Sequence, residues 1–219
     1  ASPGDAVAGK AGAPKTVQTY DKPTSTQTAA FCESFSIIQH HGDTMGQLQG
    51  KVAIITGAGS GFGEGMAEAF VREGAKVLIA DLNADAGERV AKALGASAKA
   101  VATDVANADS VNAMVKACVD AFGTPDIVIN NAGTTHKNQP MLQVDEKTFD
   151  RMFAVNVKSI YYMAHAVIPL MRARGKGGVI INVGSTAGLR PRPGLTWYNA
   201  TKGAVNLVSK SLALEVAQW

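Results

Sequence analysis

Apolar residues fall in short bursts along this chain, and each burst runs into glycine, asparagine or aspartate. Val52-Ala53-Ile54-Ile55 has no polar interruption and ends in a glycine cluster, the pattern of a strand buried on both faces of a parallel sheet. Residues 62–73 follow with helical spacing and stop at Gly74. The alternation then repeats. A strand is expected over 76–80, ending at Asp81, a helix over 85–94 closed by Gly95, and a strand over 99–102 ending before Asp104. The next helix is expected over 109–122, with Asp109 as N-cap and Gly123 as C-cap. A fourth strand is expected over 126–129, followed by Asn130-Asn131-Ala132-Gly133. A long helix is expected from about 146 to 174, a fifth strand over 178–183, and a last helix from near Thr196 to the end of the chain.

Strand and helix therefore alternate five times. Right-handed crossovers turn that order into a doubly wound parallel sheet, a Rossmann-like α/β domain with helices on both faces. Ligands bind such sheets beyond the carboxyl ends of the strands. The unusual local features gather there: 57–63, Asp81, Asp104, 130–133 and Ser185. Residues 1–44 read differently, being rich in Ala, Thr, Gly, Pro and Gln with only scattered large apolar residues. Such a segment buries too little apolar area to offset its ordering entropy. It is expected to be a flexible N-terminal extension or leader, with the domain over 45–219 beginning near Met45.

Composition narrows the class. With 219 residues and 46% apolar content, one sizeable core is expected. Lys and Arg number 21 against 18 Asp and Glu, leaving +3, too little to argue for nucleic acid or an anionic membrane as partner. No run approaches the ~18 apolar residues of a membrane span, and the first ten residues lack the apolar core of a signal peptide. Cys32 and Cys118 cannot build a disulfide framework, and there is no CxxC, so the expected compartment is the cytoplasm. His40-His41 supplies two ligands at most, so no metal is expected. His136 is expected to be an exposed loop histidine, His165 a helix-face residue, and Cys118 a small packed hydrophobe.

Two constellations carry chemistry. The turn after the first strand reads Thr56-Gly57-Ala58-Gly59-Ser60-Gly61-Phe62-Gly63. Strict GxGxxG fails at Phe62, and the Walker spacing fails because Phe62 and Gly63 stand at its glycine and lysine positions. What stands is Gly57-x3-Gly61-x-Gly63, a turn that lets the backbone approach a pyrophosphate ahead of a helix N-terminus. Asp81, at the end of the second strand, can accept both hydrogen bonds of an adenosine ribose diol. It would also repel a 2′-phosphate by about 1 kcal/mol per like-charge pair at ~4 Å in water. No basic residue stands at 58–62 or 82–83, so NAD(H) is expected over NADP(H). The second constellation is Tyr198 with Lys202. It is the one tyrosine of four with a lysine four residues on, which places both on one helix face. A phenol beside an ammonium is a usable general acid/base. Ser185, 13 residues before Tyr198, can hydrogen-bond a substrate carbonyl. It is no hydrolase nucleophile, because Val183 and Ala187 stand where GxSxG needs glycine. Asn156 lies between Val155 and Val157 and must find partners if buried.

These motifs, in this order and spacing, resemble the short-chain dehydrogenase/reductase family from about Gly46 to the end of the chain. The resemblance implies a catalytic tetrad of Asn156, Ser185, Tyr198 and Lys202. It implies NAD held by Gly57, Ser60, Gly61, Phe62, Gly63, Asp81 and Leu82, with Asp104 and Val105 at the adenine. Asn131, Ala132 and Gly133 would lie along the cofactor, and Tyr198 and Lys202 at its nicotinamide end. It also implies a homodimer or homotetramer built on the long helix and the Tyr198 helix. The expected activity is NAD(H)-dependent interconversion of a secondary alcohol and a ketone. The alternative is a non-catalytic nucleotide-binding or interaction protein on a truncated dehydrogenase fold. Family members continue through further strands after the tyrosine helix, whereas this chain stops at Trp219. Its C-terminal strands are therefore expected to be missing.

Overall fold

The structure is a computed structural model, and it describes residues 46–219. The expectations for residues 1–44 lie outside the described residues. Five strands, β1 (Val52–Thr56), β2 (Lys76–Asp81), β3 (Ala98–Ala102), β4 (Ile127–Asn130) and β5 (Val179–Asn182), pair in parallel in the order β3-β2-β1-β4-β5. The chain steps outward from β1 through β2 to β3, then crosses back to lay β4 on the other side of β1. The carboxyl ends of β1 and β4 thus flank a topological switch point, where ligands bind in open parallel sheets.

Six helices cover the sheet: α1 (Gly61–Arg72), α2 (Ala84–Leu94), α3 (Ala108–Phe122), α4 (Glu146–Phe153), α5 (Ser159–Arg174) and α6 (Thr196–Val216). Strand side chains alternate between faces, so β1 feeds two cores. Val52 and Ile54 join Met114 of α3 and Met163 of α5, while Ala53 and Ile55 join Ala67 of α1 and Val90 of α2. Every residue of β1 is buried, which accounts for its lack of polar interruption. Val179 and Ile181 of β5 are 51% and 45% exposed, because β5 pairs with β4 alone among the described residues.

The element boundaries hold three corrections. First, the cap of α3 is Asn107, whose side chain accepts the Ser110 N–H at 2.9 Å, and the expected cap, Asp109, falls in the first turn. An acid there still complements the helix dipole. The C-cap, Gly123, stands where it was expected, with φ +97°. Second, Asp126 precedes β4 instead of opening it. Its carboxylate accepts the Val52 N–H at 2.9 Å and pairs with Arg174 at 2.8 Å. Third, the long helix expected over 146–174 is interrupted. A π-helical turn over Ala154–Lys158 separates α4 from α5 and carries Asn156. Such single wide turns are frequent at functional sites. Among the described residues no helix is long and apolar enough to cross a membrane.

Candidate functional site

The exits of β1 and β4 are stitched by one buried hydroxyl. Thr56 Oγ1 accepts the backbone N–H groups of Asn131 and Ala132, each at 3.0 Å, and faces the Ile129 carbonyl at 3.3 Å. The Asn131 amide returns the tie, donating to the Thr56 carbonyl at 2.8 Å and to that of Gly57 at 3.1 Å. Gly57 needs its freedom twice: its φ is +63°, and a Cβ there would stand 3.0 Å from Ala132 Cα. Gly63 packs against the same turn, where a Cβ would collide with the Gly57 carbonyl. The start of α1, whose N-cap Ser60 makes no side-chain cap bond, thus borders a groove, and a helix N-terminus suits an anion.

That groove gathers most of the expected cofactor residues. Gly57, Ser60 and Phe62 line it from the glycine turn, and Asp81 and Leu82 from the end of β2. Asp104 and Val105 follow β3, and Asn131, Ala132 and Gly133 follow β4. Gly61 and Gly63 shape the turn beneath without lining the groove. Phe62 is 88% exposed and forms its outer lip. Asp81 is held from both sides, Oδ2 accepting the Gly59 N–H at 2.8 Å and Oδ1 the Asn83 N–H at 2.9 Å. A carboxylate has about four acceptor sites, so capping its own turn leaves it capacity for a ligand diol. Asp104 accepts the Ala106 N–H at 3.0 Å and meets Arg151 of α4 at 3.3 Å across the groove.

The expected catalytic residues stand at the opposite end. Asn156 is 3% exposed and fully engaged. Its Oδ1 accepts the Thr134 N–H at 2.8 Å, and its Nδ2 donates to the Thr134 carbonyl at 2.8 Å and to Thr201 Oγ1 at 3.0 Å. Thr201 in turn donates to the Tyr198 carbonyl at 2.8 Å. The Asn156 amide thereby binds the loop after β4 to the turn of α6 that carries Tyr198 and Lys202. Lys202 is 6% exposed, donates to the Val183 carbonyl at 2.7 Å, and has its pKa lowered by burial. This bond uses one of three ammonium donors, so the lysine keeps capacity for a ligand hydroxyl. A Cβ at Gly133 would lie 3.5 Å from Asn156 Oδ1 and 3.8 Å from Lys202 Nζ, so the groove's last glycine abuts both side chains. Ser185 Oγ accepts the Ala187 N–H at 3.1 Å, and Tyr198 is half-buried at the start of α6. Among the described residues no hydrogen bond links the Ser185, Tyr198 and Lys202 side chains directly.

Sequence reasoning missed Thr134 and Thr201, which hold Asn156, and Arg151, which faces the groove. The signal for Thr201 was a small hydroxyl one residue before Lys202. His136 requires a correction: it is 6% exposed, with Nδ1 2.7 Å from the Lys137 carbonyl and Nε2 buried without a partner. The flanking chain is fastened to the loop before α6, Asn138 donating to the Pro193 carbonyl at 3.0 Å and Gln139 N to that of Gly194 at 3.1 Å. Cys118 is a buried hydrophobe as expected, its pKa pushed up to about 12 by burial. His165 stacks on Tyr161 with centroids 4.3 Å apart along α5. Among the described residues no group of three or more His, Cys, Asp or Glu side chains is placed to hold a metal ion.

Comparison with known proteins agrees with this geometry. The family model described as short chain dehydrogenase matches residues 51–219. The 4-formylbenzenesulfonate dehydrogenase of Comamonas testosteroni is 46% identical over 179 residues, which cover 78% of this chain and 69% of the relative. The sorbitol dehydrogenase of Cereibacter sphaeroides is 41% identical over 170 residues, which cover 78% of this chain and 66% of the relative. The chain thus spans about two thirds of the length of these curated relatives. Among solved structures, a 3-ketoacyl-(acyl-carrier-protein) reductase from Brucella melitensis complexed with NADH superposes with a TM-score of 0.77 at 50% identity, covering 78% of this chain and 72% of that one.

Proposed function

The chain belongs to the short chain dehydrogenase family of oxidoreductases, and we propose that it interconverts a secondary alcohol and a ketone with NAD(H). One observation carries this reading: Gly133, the end of a groove that begins at Gly57 and Asp81, abuts both Asn156 and Lys202. A cofactor lying along the groove would reach the residues that move protons.

The residues fit a dinucleotide. Gly57, Gly61 and Gly63 with the start of α1 would hold the pyrophosphate, with Ser60 and Phe62 over it. Asp81 and Leu82 would hold the adenosine ribose, and Asp104 and Val105 the adenine. Asn131, Ala132 and Gly133 would line the path to the nicotinamide, whose ribose would take the spare donors of Lys202. The bound nicotinamide supplies or accepts the hydride. The chain's own work is at the other atom of the C–O bond. In oxidation the alcohol oxygen, held by the Ser185 hydroxyl and the Tyr198 phenolate, would pass its proton to that phenolate, and in reduction the Tyr198 hydroxyl would return it. Lys202 holds positive charge beside that exchange, and Asn156 fixes the frame and leads toward solvent.

One relative supports the substrate class: the Cereibacter enzyme is named for sorbitol, a polyol with secondary hydroxyls. A homodimer or homotetramer is also proposed, joined through α5 and α6, whose outer faces expose Tyr161 (57%) and Leu207 (67%). A cytoplasmic location with no nucleic-acid or membrane partner is also proposed, on a net charge of only +3. The test is a fluorescence titration with NADH followed by a screen of polyols, simple secondary alcohols and their ketones. Saturable binding with turnover of at least one pair supports the reading. Saturable binding without turnover of any pair would favour a nucleotide-binding protein that is not an enzyme.

A further inference from the structure

Beside the adenosine end of the groove, behind its glycine turn, stands a cation that sequence motifs do not predict. Arg89 projects from α2 and donates to the Gly59 carbonyl through Nη2 at 2.9 Å. Gly59 is the residue whose N–H binds Asp81 Oδ2 at 2.8 Å. Gly59 therefore carries the guanidinium on its carbonyl and the carboxylate proposed to bind the ribose on its N–H. The approach is close: a Cβ on Gly59 would stand 2.9 Å from both Asp81 Cγ and Ala86 Cβ. Arg89 lies one helical turn beyond Ala86 on the same face of α2.

Glu64, in the first turn of α1, takes the rest of that guanidinium. Its two carboxylate oxygens accept from Arg89 Nη1 at 2.7 Å and Nη2 at 2.9 Å, a bidentate pair. The arrangement raises the Arg89 pKa and lowers that of Glu64, each through their shared hydrogen bonds. The Arg89 side chain is 57% exposed, so it has room to swing, whereas Glu64 at 23% is the more enclosed partner.

We infer that Glu64 is a cofactor-specificity residue: by engaging Arg89 it withholds a cation that shares Gly59 with Asp81 from a 2′-phosphate, and so reinforces the choice of NAD(H) over NADP(H). This rests on the cofactor reading above and deepens it. Asp81 repels the 2′-phosphate directly. Glu64 acts one step back, cancelling the charge that would otherwise offset that repulsion. Arginine suits this role because its planar fork binds carboxylate and phosphate in the same bidentate geometry.

The test uses the full chain and four probes: NADH, NADPH, and the fragments 5′-AMP and 2′,5′-ADP, which isolate the adenosine end. Dissociation constants are measured for the unaltered protein, E64Q, E64A and the double variant E64Q/R89Q, with melting temperatures to confirm folding. In E64Q and E64A, NADPH and 2′,5′-ADP should bind about fivefold more tightly while NADH and 5′-AMP change less than twofold, the size expected of one charge near a phosphate in a partly exposed site. In E64Q/R89Q that gain should vanish. Raising the salt should shrink the gain as well. Unchanged NADPH affinity in both single variants, or a gain that survives loss of Arg89, overturns the inference while leaving the NAD(H) reading intact. Failure of the unaltered protein to bind NADH overturns the reading itself, and the inference with it.

Discussion

Replacing Asn156 with alanine should loosen the whole catalytic end of the molecule. The side chain makes three hydrogen bonds, two to Thr134 at 2.8 Å and one to Thr201 Oγ1 at 3.0 Å, and is 3% exposed. A net hydrogen bond is worth about 1 kcal/mol, so three come to about 3 kcal/mol. For a domain of this size that is a fall in melting temperature of about 6–12 °C. Thr201→Val removes one of the three together with the Thr201–Tyr198 carbonyl bond and should cost about 2 kcal/mol. In a double-mutant cycle the two losses should be less than additive, by about the shared Asn156–Thr201 bond. The assay is chemical or thermal unfolding of the unaltered protein, both single variants and the double. A loss below about 1 kcal/mol for Asn156→Ala, or strictly additive losses, would refute the view that this amide clasps the loop after β4 to α6.

Two further outcomes follow from named contacts. NADH should bind at least tenfold more tightly than NADPH, and Asp81→Ala should narrow that gap by relieving about 1 kcal/mol or more of like-charge repulsion; equal constants for the two cofactors in the unaltered protein would contradict the role of Asp81. Cys118 has its folded pKa raised from 9.0 to about 12, so the unfolded chain releases that proton first as pH rises. Stability should therefore be unaffected by this group below pH about 9 and decline from there toward pH about 12, by at most about 4 kcal/mol. Denaturant melts across that window should show a smaller decline in Cys118→Ala.

What could be read from the chain and what could not divides along one line. β1 was legible because all five of its residues are buried, and a strand buried on both faces shows as an apolar run. The glycine turn and Asp81 were legible because a backbone in contact with a phosphate excludes side chains, and a strand end admits a carboxylate. The π-helical turn at Ala154–Lys158 was not. It differs from α-helix by one extra residue per turn, too little to alter the apolar spacing over so short a stretch. Asn107 and Asp109 are both good caps two residues apart, and only the path of the chain out of β3 decides between them. His136 and the Arg89–Glu64 pair were hidden for a different reason. The chain just after the histidine is fastened to residues 193–194, and the arginine's partner lies 25 positions away. Contacts of that kind leave no local pattern.

The central claim, that Tyr198 is the proton-transferring group of an NAD(H)-dependent oxidoreductase, is tested most directly by Tyr198→Phe. This change removes a single hydroxyl while leaving in place the ring and the backbone carbonyl that receives Thr201 Oγ1. Turnover of the substrate pair found in the screen and the dissociation constant for NADH should be measured side by side. The account predicts turnover below a few per cent of the unaltered enzyme with NADH affinity changed less than about twofold, since a lost general acid/base costs about 10²–10⁴-fold in rate. Substantial residual turnover at unaltered NADH affinity would contradict it.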